Sequence, residues 1–239
     1  MRAWFLHRWL LLLACLLGAV AGVSAGLAAA YSIRLQRSAR AILDSAVQIR
    51  TTADAAREVA WWRKRFGNNY QEYQNGDYHC YQVILYPSPL LTLMRMVHAT
   101  DLNVMAATQD GTLHHIIVSM SSGRPGEVSS VWVGESFASH KRNGLVVDGT
   151  EIPGYALVTT GVSLTADQTD DTTRMEAFAL DTHCFLPWHR CGRPEDILPT
   201  LTMLAIEADG RRPNSRSSEP PGGTPEQESA LRKRSPEAR

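Results

Sequence analysis

The first apolar stretch runs from Trp9 to Tyr31, 23 residues without a formal charge. A helix of that length is about 34 Å long, enough to cross a hydrocarbon core of about 30 Å. Trp4, Trp9 and Tyr31 stand near its ends, where amphipathic rings favour the interface. After Tyr31 the spacing changes. Leu35, Ala39, Ile42, Ala46 and Ile49 recur every four and three residues, which predicts one face of a helix continuous with the span. That face suits packing against a folded body; pairing with a second such helix is the other reading. A second helix is signalled by Thr51 or Thr52 as cap, Asp54 and Glu58 toward its start, and Arg63, Lys64 and Arg65 in its last turn. Ala55, Val59, Trp62 and Phe66 form its apolar stripe, and Gly67-Asn68 supplies the stop.

From residue 77 short apolar runs alternate with turn formers, the pattern of antiparallel sheet. The expected strands are Tyr78–Tyr86, Leu102–Thr108, Thr112–Met120, Glu127–Phe137, Tyr155–Leu164 and Thr172–Phe185. Gln109-Asp110-Gly111 marks a hairpin between the second and third. Leu90–Val97 fits a strand or a short helix. Pro194 suits the first turn of a closing helix toward Leu204, which Pro199 bends or ends. The expected class is α+β: an N-terminal transmembrane helix and helical stem, then a mainly antiparallel β-sheet domain with a short C-terminal helix. The parts are a flank over 1–8, the span over 9–31, the stem over 32–67, a β-rich domain over 68–207 and a disordered tail over 208–239. The tail has five Pro and a single large aliphatic residue, Leu231, too little apolar surface to offset chain entropy.

Two other readings of the first segment are a secretory signal cleaved near Val23-Ser24-Ala25 and a lipoprotein signal at Leu12-Leu13-Ala14-Cys15. The apolar run passes the first site and flows into the stem helix without a break. The second leaves only about six apolar residues before the cysteine, short of the roughly 7–15 of a signal core. A retained span is therefore the expectation, with Cys15 a small apolar residue inside it.

The net charge of zero is unevenly spread. Residues 1–66 carry ten Lys/Arg against three Asp/Glu, residues 67–207 seven against sixteen. A basic stem suits anionic headgroups. An acidic body makes a poor nucleic-acid binder, so the expected partners are the lipid bilayer and a protein of unknown kind, with no nucleic acid. Orientation pulls two ways. Lys/Arg counted near the span place the body in the cytoplasm; the cysteines and the signal-like N-terminus place it outside, which is the reading preferred.

Candidate chemistry concentrates late in the chain. Cys184 and Cys191 bracket a Pro-containing loop and are the candidate disulfide. Cys80, Cys184, His189 and Cys191 have ligand types suited to zinc, with His183 nearby, although no Cys-x2-Cys spacing is present. Cys80 otherwise reads as a buried apolar residue. Gly134-Glu135-Ser136-Phe137-Ala138 misses the nucleophile-elbow pattern by one residue and lacks its α/β setting. His114 and His115, adjacent on a strand, are expected on opposite faces. Asp167, Asp170 and Asp171 lack the spaced ligands of a calcium loop. The Trp61-Trp62-Arg63-Lys64-Arg65-Phe66 cluster reads as buried aromatics beside cations that complement a helix end, with lipid or nucleic-acid binding as the alternative.

The order of parts resembles a group of uncharacterised bacterial single-span membrane proteins of the acidobacterial type. The segments that carry the resemblance are Thr51-Thr52-Ala53-Asp54-Ala55 in the stem, Cys184 and Cys191 near the end, and the closing Asp196-Ile197-Leu198-Pro199. The resemblance implies a membrane location and this architecture, and no activity. The expected function is a non-catalytic, membrane-anchored extracytoplasmic interaction or envelope module without a cofactor. The alternative is a metal-binding or thiol-redox protein using the Cys/His cluster.

Overall fold

A computed structural model describes residues 2–87, 99–124, 127–137, 145–152, 157–189 and 191–211. Helix α1 (Arg2–Gln48) runs unbroken for 47 residues, and the part from Arg8 has a mean hydropathy of 2.4 over its most apolar window. Trp9, Leu13, Leu17 and Val23 are exposed along it, as a lipid-facing surface requires. Further along, burial takes over: Leu35, Ala39, Ile42, Ala46 and Ile49, the residues of the predicted stripe, are at most 7% exposed. One helix thus passes from an exposed apolar surface into the buried core.

After a three-residue turn, α2 (Thr52–Phe66) folds back. Thr51 caps it by accepting from the Asp54 backbone N–H at 3.1 Å, and Gly67 ends it at φ 43°. Ala55, Val59, Trp62 and Phe66 are buried. Buried polar contacts fix the helix pair. The Trp62 indole donates to Ser45 Oγ at 2.8 Å, and that hydroxyl donates to Glu58 Oε2 at 2.7 Å.

Seven strands follow: β1 (Tyr70–Asn75), β2 (Tyr78–Leu85), β3 (Ala99–Gln109), β4 (Thr112–Arg124), β5 (Glu127–Ser136), β6 (Leu145–Ile152) and β7 (Leu157–Thr165). They form one sheet in the order β1-β2-β3-β4-β5-β7-β6, antiparallel throughout except for the parallel β5–β7 pair. The Asp110-Gly111 turn closes β3 onto β4 with both residues at positive φ, 50° and 74°, the geometry that matches strand twist in a two-residue hairpin. Strands β1 and β6 escape the sequence reading because both lie at sheet edges. β1 is exposed along almost all its length and has no apolar alternation to reveal it.

α1, α2 and the C-terminal segments cover one face of the sheet. Val83, Leu102, Val104, Ile116, Val118, Val131, Val133 and Val162 supply its side of the single core. The other face is half-buried, with Ile117, Ser119, Ser130 and Trp132 along its middle. Trp132 lies flat against its neighbour across the β5–β7 ladder: a Cβ at Gly161 would stand 2.3 Å from the indole.

The expected strand Thr172–Phe185 is instead a helix, α3 (Asp171–Ala177), followed by a 3-10 turn, Thr182–Phe185. Asp170 decides this locally. Its Oδ1 accepts from the Thr173 backbone N–H at 2.9 Å and its Oδ2 from the Thr173 hydroxyl at 2.7 Å, a cap that starts a helix where β-branched residues suggest a strand. The closing helix is split as Pro199 requires, into α4 (Pro194–Ile197) and α5 (Leu201–Arg211). α5 runs past the expected end of the body at 207, and Ala208 is only 3% exposed. Leu90–Val97 and the tail from 212 to 239 lie outside the described residues.

Candidate functional site at the stem–body junction

Where α1 ends, Arg174 of α3 enters from the side. Its Nη2 donates to the carbonyls of Ile49 at 2.9 Å and Ala46 at 3.4 Å, and its Nη1 to that of Val47. A helix C-terminus leaves such carbonyls without intrahelical partners and carries partial negative charge. A guanidinium, with five fixed donors and a permanent charge, answers both needs. Its Nε meets both oxygens of Glu135 on β5, at 2.7 and 2.8 Å. Both side chains are fully buried. Burial pushes the Glu135 carboxyl up and the Arg174 guanidinium down, and each opposes the other's shift by its charge. Beside them Arg50 pairs with Asp171 at 2.7 Å on the surface. The C-terminal end of α1, the sheet and α3 are thus tied at one point.

A second polar group lies lower along the same side. Asp181 Oδ1 accepts from the His183 backbone N–H at 2.9 Å and lies 2.6 Å from its Nδ1. His189 Nε2 is 3.6 Å from Asp181 Oδ2, and the two imidazole rings are 5.9 Å apart. The chain returns from His183 to His189 through Trp188, which is 73% exposed at φ 65°. Cys184 and Cys191 close this loop as a disulfide with Cα atoms 5.6 Å apart. Beyond it Asp196 Oδ2 accepts from the Gly192 and Arg193 backbone N–H groups at 3.1 and 3.0 Å. Burial pushes the Asp196 carboxyl up, but these donors and the Arg193 charge outweigh it and hold it below the usual range. A cleft of about 330 Å³ opens between the stem and this segment, with Arg40 and Asp44 on one wall and Asp181 and Pro199 on the other.

The structure brings some of the sequence candidates together and separates others. Cys184, Cys191, His183 and His189 share the loop. Cys80 does not join them. It lies on β2 in odd register to Val83 and Leu85, so its side chain points to the sheet face away from the core that holds Cys184. Gly192, beside Cys191, accepts from Ser129 on β5, three strands away from β2, or about 14 Å across the sheet. Among the described residues no three His, Cys, Asp or Glu side chains are placed to hold a metal ion. Cys80 is 2% exposed, and its thiol is pushed up by burial.

His114 and His115 correct the expectation of opposite faces. Ala107 pairs with His115 but Thr108 with Leu113, so His114 is the extra residue of a β-bulge. Both rings consequently pack on Tyr78, at 5.6 and 5.8 Å, and stand 6.0 Å apart. Burial and the neighbouring His114 push the His115 imidazole down. Ser136 ends a strand paired to His115 and Thr165, and Glu135 of the same near-motif is the partner of Arg174. Asp170 and Asp171 serve as helix cap and ion-pair partner.

The Glu135–Arg174 pair escapes sequence reading because neither residue stands in a periodic or spaced motif. The one signal is a charged residue, Glu135, at a core position of an alternating strand. No protein-family model matches the chain, and no curated protein or solved structure matches it significantly.

Proposed function

We propose that this protein is a single-pass membrane-anchored module whose globular domain, on the extracytoplasmic side, serves interaction or envelope architecture rather than catalysis. One observation carries the reading. The helix long and apolar enough to cross a membrane is the same helix whose C-terminal half fills the core of the domain. A linker would let the domain diffuse; a shared helix, capped by Arg174, fixes the domain to its anchor, so that the two tilt together. The Cys184–Cys191 disulfide supports an oxidising compartment. The half-exposed Asp181–His183–His189 group and the open sheet face offer contact surface.

Fractionation and labelling test this in intact cells. The full chain is expected to stay with membranes through high-salt and alkaline washing, and an introduced cysteine at the exposed Asn68 (Asn68→Cys) to react with an impermeant maleimide added outside. Release by alkali overturns the anchor. Labelling only after lysis overturns the outward side and gives weight to the Lys/Arg count around the span.

A further inference from the structure

We infer that the membrane-proximal half of the helical layer binds the anionic phospholipid headgroups of the bilayer that α1 enters. The inference rests on the anchor reading and adds a partner to it. Two contacts set the levels. Tyr31, at the end of the span, donates its hydroxyl to the Tyr86 carbonyl at 3.3 Å, so the end of β2 comes down to the interface with no spacer. Ser45 is bonded by both Glu58 and Trp62, so α2 runs back alongside α1 with residues near 60 opposite residue 45. Each further residue of α2 therefore descends toward the bilayer. Its last turn, Arg63-Lys64-Arg65, comes level with about residues 42 to 40 of α1, which is roughly 14–17 Å from Tyr31 along the axis. Arg34, Arg37 and Arg40 lie below, at about 4.5, 9 and 13.5 Å by the same rise of about 1.5 Å per residue.

All six basic residues are exposed. Arg63 is held by Glu72 and stands 5.8 Å from the Tyr70 ring. Lys64 and Arg65 extend beside it. With a Debye length of about 8 Å, Arg34 and Arg37 feel the surface directly, whereas Lys64 and Arg65 meet the headgroups once the domain tilts toward the bilayer. The rest of the body repels that surface, because residues 67–207 carry seven Lys/Arg against sixteen Asp/Glu. An anionic bilayer thus draws toward it the α1–α2 side, where the six exposed cations stand. Complementing the α2 dipole gives Lys64 and Arg65 a structural use as well, but that use is indifferent to lipid charge.

The test uses the full chain in nanodiscs, with Cys15→Ala and a donor dye on Asn68→Cys, and energy transfer to an acceptor lipid. Adding phosphatidylglycerol to phosphatidylcholine is expected to bring the dye nearer the bilayer, and 1 M salt, with a Debye length of about 3 Å, to reverse it. Lys64→Gln with Arg65→Gln should lower the ratio of docked to undocked domain about 30-fold, while Lys64→Arg with Arg65→Lys retains the response. Should the glutamine pair not fold, Arg34→Gln with Arg37→Gln carries the same expectation. Equal transfer in both bilayers, or a lipid response that survives charge removal, overturns the inference. A chain that fails to enter nanodiscs at all counts against the anchor instead.

Discussion

Arg174 and Glu135 form a fully buried ion pair whose cationic half also caps α1, the helix long and apolar enough to cross a membrane. A charge in such a place is held there by its partners. Removing one partner strands the other in a low-dielectric interior, at a cost of about 3–5 kcal/mol, whereas removing both leaves no stranded charge. Glu135→Leu and Arg174→Leu are each expected to lower stability by that amount in urea denaturation. The double variant should recover part of it. Recovery stays incomplete because the carbonyls of Val47 and Ile49 lose the Arg174 donors in the double variant as in Arg174→Leu. Strictly additive losses would show that the two side chains do not act as a pair.

Gly161 is required by Trp132 rather than by its own backbone. A methyl group there meets the indole at 2.3 Å from Cζ2, so the ring must leave its seat on the sheet. Gly161→Ala is expected to cost about 1–3 kcal/mol, the usual range for overpacking. Trp132→Ala opens the space, so the combined variant should lose less than the sum of the single losses, by thermal unfolding of all four proteins. Additive losses would mean that the ring does not rest on Gly161.

How much of this was legible in the chain follows from the range of the forces involved. Helix α2 could be read almost residue by residue, because its cap at Thr51, its stripe and its Gly67 stop are all local. The same holds for the Asp110-Gly111 hairpin. Thr172–Phe185 misled because β-branched and aromatic residues suggest a strand, while a single carboxylate at Asp170 sets the helix start. Strand β6 pairs with β7 at the edge beyond a parallel neighbour, a placement decided by tertiary pairing. The junction is the extreme case. Glu135 and Arg174 are 39 residues apart, and Arg174 meets carbonyls more than 120 residues away. The histidine pair failed for a smaller reason: one bulged residue in β4 undoes strict alternation.

Asp101 gives the fold a pH dependence of a definite sign. Burial pushes its carboxyl above the usual range, with its own backbone and Ser121 opposing through hydrogen bonds. The folded form therefore holds the proton at a pH where the unfolded chain, with a value of about 3.9, has lost it. The contribution to stability is full below about pH 4 and is lost as pH rises through the folded value. Asp101→Asn keeps the shape without the charge. Its melting temperature should match the native protein's near pH 3.5 and exceed it increasingly toward pH 7. A constant difference across that range would place Asp101 in a solvated setting.

The loop from Cys184 to Cys191 should depend on its cross-link for both stability and geometry. Closing so short a loop constrains the unfolded chain by about 2–3 kcal/mol on the chain-entropy account. The link also pins the turn that carries His183 and His189 to within 5.9 Å of each other around Asp181. In protein taken from its host with thiols trapped at lysis, non-reducing peptide mapping should find Cys184 joined to Cys191. Cys80, 2% exposed on the opposite face of the sheet, should alkylate only after denaturation. Cys184→Ser with Cys191→Ser should lower the melting temperature and move the two imidazoles apart, read by NMR as loss of the contacts between their rings. A Cys80–Cys184 link would contradict the strand parity that separates them. Fully reduced cysteines would remove the support for an oxidising compartment and return the question of sidedness to the arginines on either side of the span.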